Sequence, residues 1–134
     1  MTTPVTCTVC IANYNGEDLL DTCLASVFAQ EWPGSVQVIV HDDASTDRSL
    51  DVLATWPDVE LIASDANVGF CIANNRMVAA SRGQFVLLLN NDAALMPGAL
   101  ATLLAEAVQP FLDRTLPQRR LLELGDVARV QAAG

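Results

Sequence analysis

Polar side chains follow three apolar runs of this chain, and their types suit an oxygen-rich ligand site. The three groups are Ala-Asn-Tyr-Asn at 12–15 after the run 5–11, Asp-Asp-Ala-Ser at 42–45 after 36–40, and Asn-Asn-Asp at 90–92 after 85–89. Amide and carboxylate oxygens suit a hard divalent cation and the phosphates that it carries. In an open parallel α/β sheet, ligands bind at the carboxyl ends of the strands. The residues therefore predict one site at one edge of such a sheet.

The hydrophobic pattern predicts four strands that alternate with four helices. We expect strands near 5–11, 36–41, 59–63 and 85–89. We expect helices near 17–30, from Ser45 or Thr46 to just before Pro57, near 70–81 and, with Pro97 at its first position, near 97–108. Alternation of this kind implies a parallel sheet with right-handed crossovers, so the predicted fold class is α/β.

Composition limits the classes of partner. The 134 residues suit one domain, and 51% of them are hydrophobic. The formal charge of −9 argues against a nucleic-acid surface, which needs clustered Lys and Arg. It also disfavours binding to anionic lipid. No apolar stretch approaches the roughly 20 residues of a membrane span, and no secretory signal is visible. A nucleotide's phosphates would need a metal ion, or a few well-placed cations, to enter such an acidic cleft.

The four cysteines are predicted to be unpaired. Cys7 and Cys10 form a C-x-x-C pattern, which in some proteins is a redox or zinc motif. Both lie in a predicted strand, however, where positions three apart face opposite sides. Cys23 falls on the apolar face of a predicted helix. Unpaired core cysteines fit a reducing compartment, so we expect a cytoplasmic protein, either free or peripheral at the inner face of the membrane.

Tyr14, Asp42 and Asp43 are the candidate ligands at the first two strand ends. Tyr14 either stacks on a planar base or packs on the following helix as a loop anchor. The two aspartates either accept hydrogen bonds from a base and a ribose, or interact favourably with the positive N-terminal end of the next helix. The preceding His41 is predicted to be structural. The first loop lacks G-x-G-x-x-G, which argues against NAD or FAD.

The third strand end and the segment before it hold the remaining candidates. Three polar side chains at 90–92 cost desolvation free energy unless partners exist, and a divalent ion with phosphate oxygens would supply them. A simple turn is the alternative, but we favour a metal on Asp92. Gly69 permits the close approach of a ligand. Arg76, beside Asn75, either meets a phosphate or lies on a solvated helix face.

Together these segments resemble the nucleotide-sugar half of inverting family-2 glycosyltransferases of the GT-A fold. The matching segments, in order, are 9–15, 41–47, 67–70, 74–75 and 88–93, and the resemblance covers about residues 4–108. The Asn-Asn-Asp form is most similar to rhamnosyltransferase-type members. The chain departs from the family where it has Ala12 for a common Pro, and Asn90 and Asn91 for acids found in many members.

The resemblance implies a Rossmann-like, three-layer α/β/α fold with a mainly parallel sheet and spatial strand order 3-2-1-4. It also implies that Ala12 and Tyr14 line a base pocket whose edge Asp43 holds. Asn91 and Asp92 match the family's D-x-D-type element, with Asp92 on Mg²⁺ or Mn²⁺. The other residues expected at the nucleotide-sugar site are Asp42, Gly69, Asn75 and Arg76.

The implied activity is sugar transfer, with inversion, from a UDP or dTDP donor to an unknown glycan or lipid-linked acceptor. Residues 1–109 would form the nucleotide-sugar-binding half, and 110–134 a tail with a short helix near 116–124. No segment matches the family's acceptor half, and no general base is assigned. The alternative is therefore a noncatalytic nucleotide-sugar-binding module or a truncated fragment. A nucleotidyltransferase would need a Gly-rich basic loop after the first strand, which is absent.

We expect the tail to cover sheet edge and apolar surface left by the missing half, or to dock on a second chain and form a homo-oligomer.

Overall fold

The computed structural model of the chain describes residues 5–32, 34–112 and 120–122. Strands and helices alternate as the hydrophobic pattern predicts. The strands are β1 (Val5–Asn13), β2 (Ser35–Asp42), β3 (Val59–Ala63), β4 (Phe85–Asn90) and β5 (Arg120–Leu122). The helices are α1 (Leu20–Phe28), α2 (Ser49–Leu53), α3 (Phe70–Ala80) and α4 (Ala99–Leu112).

The strands form one sheet in the order β3-β2-β1-β4-β5, and every pair is parallel. This confirms the expected order 3-2-1-4 and adds a fifth strand beside β4. In the register, Asn13 at the end of β1 lies opposite Asp42 of β2, and Ala12 lies opposite Asn90 of β4. Because the strands are parallel, the three polar groups after β1, β2 and β4 lie at the same edge.

Helices cover both faces of the sheet, as in the three-layer fold. The larger core lies on the face that carries α1 and α4, and Cys7, Cys23 and Leu104 belong to it. The smaller core lies against α3 and includes Cys10 and Met77. The two cysteines of the C-x-x-C pattern therefore face opposite sides of β1, as strand alternation predicts.

Two predicted helix starts are wrong. Neither Ser45 nor Thr46 caps α2, because the hydroxyl of Ser45 instead accepts a hydrogen bond from the backbone N–H of Asn15 and donates one to Asp42. The N–H of Thr46 points to Asn15 Oδ1, so helix begins only at Ser49. Pro97 lies in a turn before α4, because Gly98 follows it with a φ of 79° that a right-handed helix does not allow.

The expected short helix near 116–124 is not present at its centre, where residues 120–122 form β5. These three residues pair with Phe85–Leu87 of β4, whose outer edge would otherwise leave N–H and C=O groups unpaired. That pairing outweighs a local helix preference, and it places part of the tail on the sheet edge as expected. The rest of the predicted helix lies outside the described residues. Within the described ranges, no helix combines the length and hydropathy needed to cross a bilayer.

Candidate functional site

The carboxyl edge of the sheet is held together by bonds between the loops that follow its strands. The backbone N–H of Asp43 donates to the carbonyl oxygen of Asn13 at 2.9 Å, which extends the β1–β2 ladder by one step. Asn15 Oδ1 accepts from the N–H groups of Thr46 and Asp47 at 2.7 and 3.2 Å. The loops after β1 and β2 are therefore fixed to each other before any ligand binds.

Asp43 ties the end of β2 to the start of α3. Its side chain accepts hydrogen bonds from the backbone N–H groups of Val68, at 2.7 Å, and Gly69, at 2.9 Å. Burial raises the pKa of Asp43, but these two bonds and the nearby His41 and Arg76 outweigh burial and hold that pKa below its usual value. Asp43 is therefore a nearly buried carboxylate, 6% exposed, with one further lone pair on each oxygen.

Beside Asp43 lies a small cleft of about 120 Å³ on the α3 side of β1. Its lining consists of Ala12, Asn13, Tyr14, Asp43, Gly69, Phe70 and Ala73. Two of these are aromatic and exposed, Tyr14 by 51% and Phe70 by 61%. Gly69 has a φ of 88°, and a Cβ added there would meet no atom within 4 Å, so backbone strain is what favours glycine. The cleft thus offers two exposed aromatic side chains, either of which can stack on a planar ring, beside a carboxylate that accepts hydrogen bonds.

On the other side of β1, a second group of polar side chains joins three strand ends. Asn91 Nδ2 donates to Asn13 Oδ1 at 2.9 Å, and Asn13 Nδ2 donates to Asp42 Oδ1 at 3.0 Å. Asp42 also accepts from the backbone N–H and the hydroxyl of Ser45. Asp42 and Asn13 are each 1% exposed. Asp42 and Asn91 were both expected as ligand residues, but neither lines the cleft.

Asp92 is exposed, and its carboxylate makes no hydrogen bond or salt bridge to the described residues. It lies near Cys23, whose pKa is raised to about 12 first by burial and then by the charge of Asp92. The described part of the chain has no group of three His, Cys, Asp or Glu side chains that could hold a metal ion. A single free carboxylate nevertheless fits Mg²⁺ or Mn²⁺, because such ions take one or two carboxylates and complete their shell with phosphates and water.

The expected ligands on α3 lie outside the cleft. Asn75 and Arg76 are exposed. The guanidinium Nη1 of Arg76 lies 3.4 Å from His41 Nε2 and donates to Ser64 Oγ at 3.3 Å. His41 is fully buried between β2 and α3, consistent with the predicted structural role. The charge of Arg76 nevertheless contributes to the lowered pKa of Asp43.

Three cleft residues were not among the expected ligands. Asn13 had a signal, since it ends β1 opposite Asp42. Phe70 also had one, because an aromatic residue directly after Gly69 stands at the start of a predicted helix. Ala73 follows Phe70 by three positions and so shares its helix face, but only the structure shows that this face meets the cleft.

Several known proteins are similar in sequence to most of this chain. The family model described as glycosyl transferase family 2 matches residues 8–131. The uncharacterized glycosyltransferase YibD of Escherichia coli is 31% identical over 109 residues, which are 78% of this chain and 31% of YibD. The succinoglycan biosynthesis protein ExoO of Rhizobium meliloti is 35% identical over 128 residues, which are 94% of this chain and 31% of ExoO.

Two solved structures share the fold. TarS 1–349 of S. aureus, in complex with UDP-GlcNAc, matches with a TM-score of 0.69 at 24% identity, over 81% of this chain and 31% of TarS. The mannosyltransferase PcManGT of Pyrobaculum calidifontis, in complex with GDP-Man and Mn²⁺, matches with a TM-score of 0.73 at 24% identity, over 82% of this chain and 36% of PcManGT.

The chain therefore spans only about a third of the length of these relatives. The residues that the family model matches, 8–131, include all those that line the cleft. Because the family model covers most of the chain, this protein belongs to glycosyl transferase family 2.

Proposed function

We propose that this chain binds a nucleotide-diphosphate sugar of the UDP or dTDP type and forms the donor half of an inverting glycosyltransferase. The acceptor would be a glycan or a lipid-linked saccharide. The observation that carries the proposal is the cleft beside Asp43, which adjoins the polar edge where Asp92 lies. Support also comes from the family membership and from the UDP-GlcNAc and GDP-Man bound to TarS and PcManGT.

The cleft would hold the base. Tyr14 is half exposed, so its ring can stack on a planar base without first leaving a core. Asp43 uses one lone pair of each oxygen for α3 and keeps another for a base N–H. Ala12 and Gly69 leave room for the ring because they carry little or no side chain. Asp42 has a supporting role, since its oxygens bind Asn13 and Ser45.

Asn75 and Arg76 would meet the ligand only beyond the cleft. Their exposed side chains lie on α3, so a contact to them requires a donor that extends along this helix. Arg76 has a second route of action, because its positive charge favours the ionised form of Asp43. We therefore rank Tyr14 and Asp43 ahead of this pair as ligand residues.

Asp92 would hold a divalent ion, Mg²⁺ or Mn²⁺, together with the diphosphate. The ion would stabilise the negative charge of the leaving diphosphate. The chain itself supplies few cations for that task, since it has seven Lys and Arg against 16 Asp and Glu. Asn91 and Asn13 hold the turn from which Asp92 projects.

A second candidate function is a noncatalytic nucleotide-sugar-binding module. The observation that favours it is the cleft itself, since its lining residues can bind a base and none of them is assigned a catalytic role. Turnover separates the two functions. Release of UDP from a UDP-sugar that depends on an added acceptor supports the transferase, whereas donor binding without such release supports the module.

Calorimetric titration of the full chain with UDP, dTDP and GDP, each with Mn²⁺, tests the shared part of the proposal. Tyr14→Ala should weaken UDP binding by roughly 5- to 150-fold, because stacking of a base on an aromatic ring contributes about 1–3 kcal/mol. Phe28→Ala is the matched control, since Phe28 is exposed but stacks on Trp56, away from the cleft. Equal weakening in both variants, or no binding of any nucleotide by the unmodified chain, would contradict the proposal.

A further inference from the structure

Three side chains at the site edge form a row of hydrogen bonds with a fixed direction. Asn91 donates to Asn13 at 2.9 Å, and Asn13 donates to Asp42 at 3.0 Å. The row crosses the sheet from the end of β4, through β1, to β2. Asn13 and Asp42 are each 1% exposed, so neither can exchange its partner for water.

The chemistry of Asp42 sets that direction. A carboxylate only accepts hydrogen bonds, and the two oxygens of Asp42 accept from Ser45 and Asn13. Asn13 must therefore turn Nδ2 towards Asp42 and leave Oδ1 towards Asn91. The residue at position 91 must then donate, because two facing acceptors in this partly buried place each lose a hydrogen bond.

We propose that Asp42 and Asn13 together fix which group Asn91 must present to β1, and so position Asn91 and the turn that carries Asp92. We call Asp42, Asn13 and Asn91 the polarity relay. The relay makes an amide a requirement at position 91. Asp42, Asn13 and Asn91 act here as positioning residues, since the bonds described join them to one another. The positioning role rests on the proposed function, in which Asp92 holds the divalent ion.

Other hydrogen bonds of the described residues also hold the turn around Asp92. The carbonyl oxygen of Asn90 accepts from the N–H of Ala93 at 3.1 Å and from Cys23 Sγ at 3.6 Å. The side chain of Asn91 adds the link to β1. Groups that orient a metal ligand strongly affect metal affinity. A misplaced turn should therefore weaken binding of the ion to Asp92.

A glycine makes room for the relay. A Cβ added to Gly16 would lie 2.3 Å from Asn13 Oδ1 and 2.5 Å from Asn91 Nδ2, which are the two atoms that share the outer hydrogen bond. The loop after β1 thus passes directly against this bond, and a side chain at position 16 would have to displace one of these two atoms.

The test compares one substitution in two backgrounds of the full chain. Asn91→Asp replaces the donor with an acceptor that faces Asn13 Oδ1. Asp42→Asn supplies an amide in place of the carboxylate, so that Asn13 can turn around and present Nδ2 to position 91. Ser45 can then accept from the new amide through its hydroxyl and still donate its N–H to the amide oxygen. Asn91→Asp should therefore lower stability when residue 42 is Asp and leave stability nearly unchanged when residue 42 is Asn.

The first readout is the urea midpoint of the ligand-free protein. We expect Asn91→Asp to lower it in the unmodified background and to leave it almost unchanged in the Asp42→Asn background. Asp58→Asn also removes one charge but lies before β3 at the opposite edge, so it should not restore the urea midpoint that Asn91→Asp lowers. An equal loss in all three backgrounds, or no loss in the unmodified one, would overturn the relay.

The second readout is the gain in UDP affinity on adding Mn²⁺. Asn91→Asp should remove most of this gain at a fixed Mn²⁺ concentration, because Mn²⁺ affinity itself should fall by about 10- to 100-fold, and the Asp42→Asn background should restore it. A gain at or above that of the unmodified chain in Asn91→Asp alone would overturn the positioning role. If the unmodified chain shows no Mn²⁺ dependence, the metal assignment on Asp92 and the positioning role fail together. The urea series contains no ligand and decides the hydrogen-bond direction separately.

Discussion

The carboxylate of Asp43 accepts a 2.9 Å hydrogen bond from the backbone N–H of Gly69, so the end of β2 holds the first turn of α3 in place. A second bond, from the N–H of Val68 at 2.7 Å, completes the clamp. Gly69 has a positive φ and lines the cleft together with Asp43. One residue thus sets the position of α3 and also provides the acceptor that we propose for the base.

Replacing Asp43 should therefore change stability in a pH-dependent way. Asp43→Asn turns one acceptor oxygen into an amide that faces a backbone N–H, and it should lower the free energy of unfolding by about 1–3 kcal/mol at neutral pH. The folded pKa of Asp43 lies below its usual value, so its contribution is complete above the unfolded pKa of about 3.9 and is lost as the pH falls through the folded pKa.

Urea unfolding of both proteins across the acidic range measures this effect. The difference between Asp43→Asn and the unmodified chain should stay constant between about pH 7 and pH 5 and should shrink below about pH 4. Asp58→Asn is the control, since the exposed Asp58 should show a small difference at every pH. A difference for Asp43→Asn that persists undiminished at about pH 3 would contradict the clamp.

Gly16→Ala should break the bond between Asn91 and Asn13 without changing any charge. The new methyl group would occupy the space in which the two amides meet, and overpacking of this kind costs about 1–3 kcal/mol in unfolding free energy. The Mn²⁺-dependent gain in UDP affinity should fall with it. Gly98→Ala offers a contrast, since a Cβ there has open space but a strained φ of 79°. It should lower stability while the Mn²⁺ gain persists.

The thiols should divide into one reactive and three protected groups. Cys71 is exposed, whereas burial raises the pKa of Cys7, Cys10 and Cys23 to about 12 each. Smaller contributions come from Cys10 to the pKa of Cys7 and from the charge of Asp92 to that of Cys23. Because the thiolate is the reactive form, a disulfide reagent near neutral pH should label one thiol quickly in the folded chain. Unfolding in urea should expose all four. Rapid labelling of the folded chain that survives Cys71→Ser would show that at least one of Cys7, Cys10 and Cys23 is not a core residue.

The sequence predicts the first four strands well, because each is a short apolar or β-branched run. It does not predict β5, whose three residues are too few to show a pattern and form a strand through their pairing with β4. The capping rules that use local sequence also do not predict the start of α2. The side chain of Asn15, some 30 positions earlier, binds the N–H groups that a cap at Ser45 or Thr46 would have served.

The site shows the same division between local and long-range information. Asp42 and Asp43 are adjacent and chemically alike, yet Asp42 joins Asn13 on one side of β1 and Asp43 lines the cleft on the other. Alternation along an extended strand predicts that they diverge. Which of them meets the cleft depends on the side that α3 covers, and only the fold provides that.

The most direct test of the proposed site is the effect of Mn²⁺ on UDP binding, measured by calorimetry in the full chain and in Asp92→Asn. A metal shared by Asp92 and the diphosphate must couple the two ligands, each tightening the other by the same factor, roughly 5- to 150-fold. Asp92→Asn keeps the size of the side chain and removes its charge, so it should abolish most of this coupling, while Asp58→Asn should retain it. Undiminished Mn²⁺ dependence in Asp92→Asn would contradict the metal site and, with it, the account of this edge as the place where the donor's diphosphate binds.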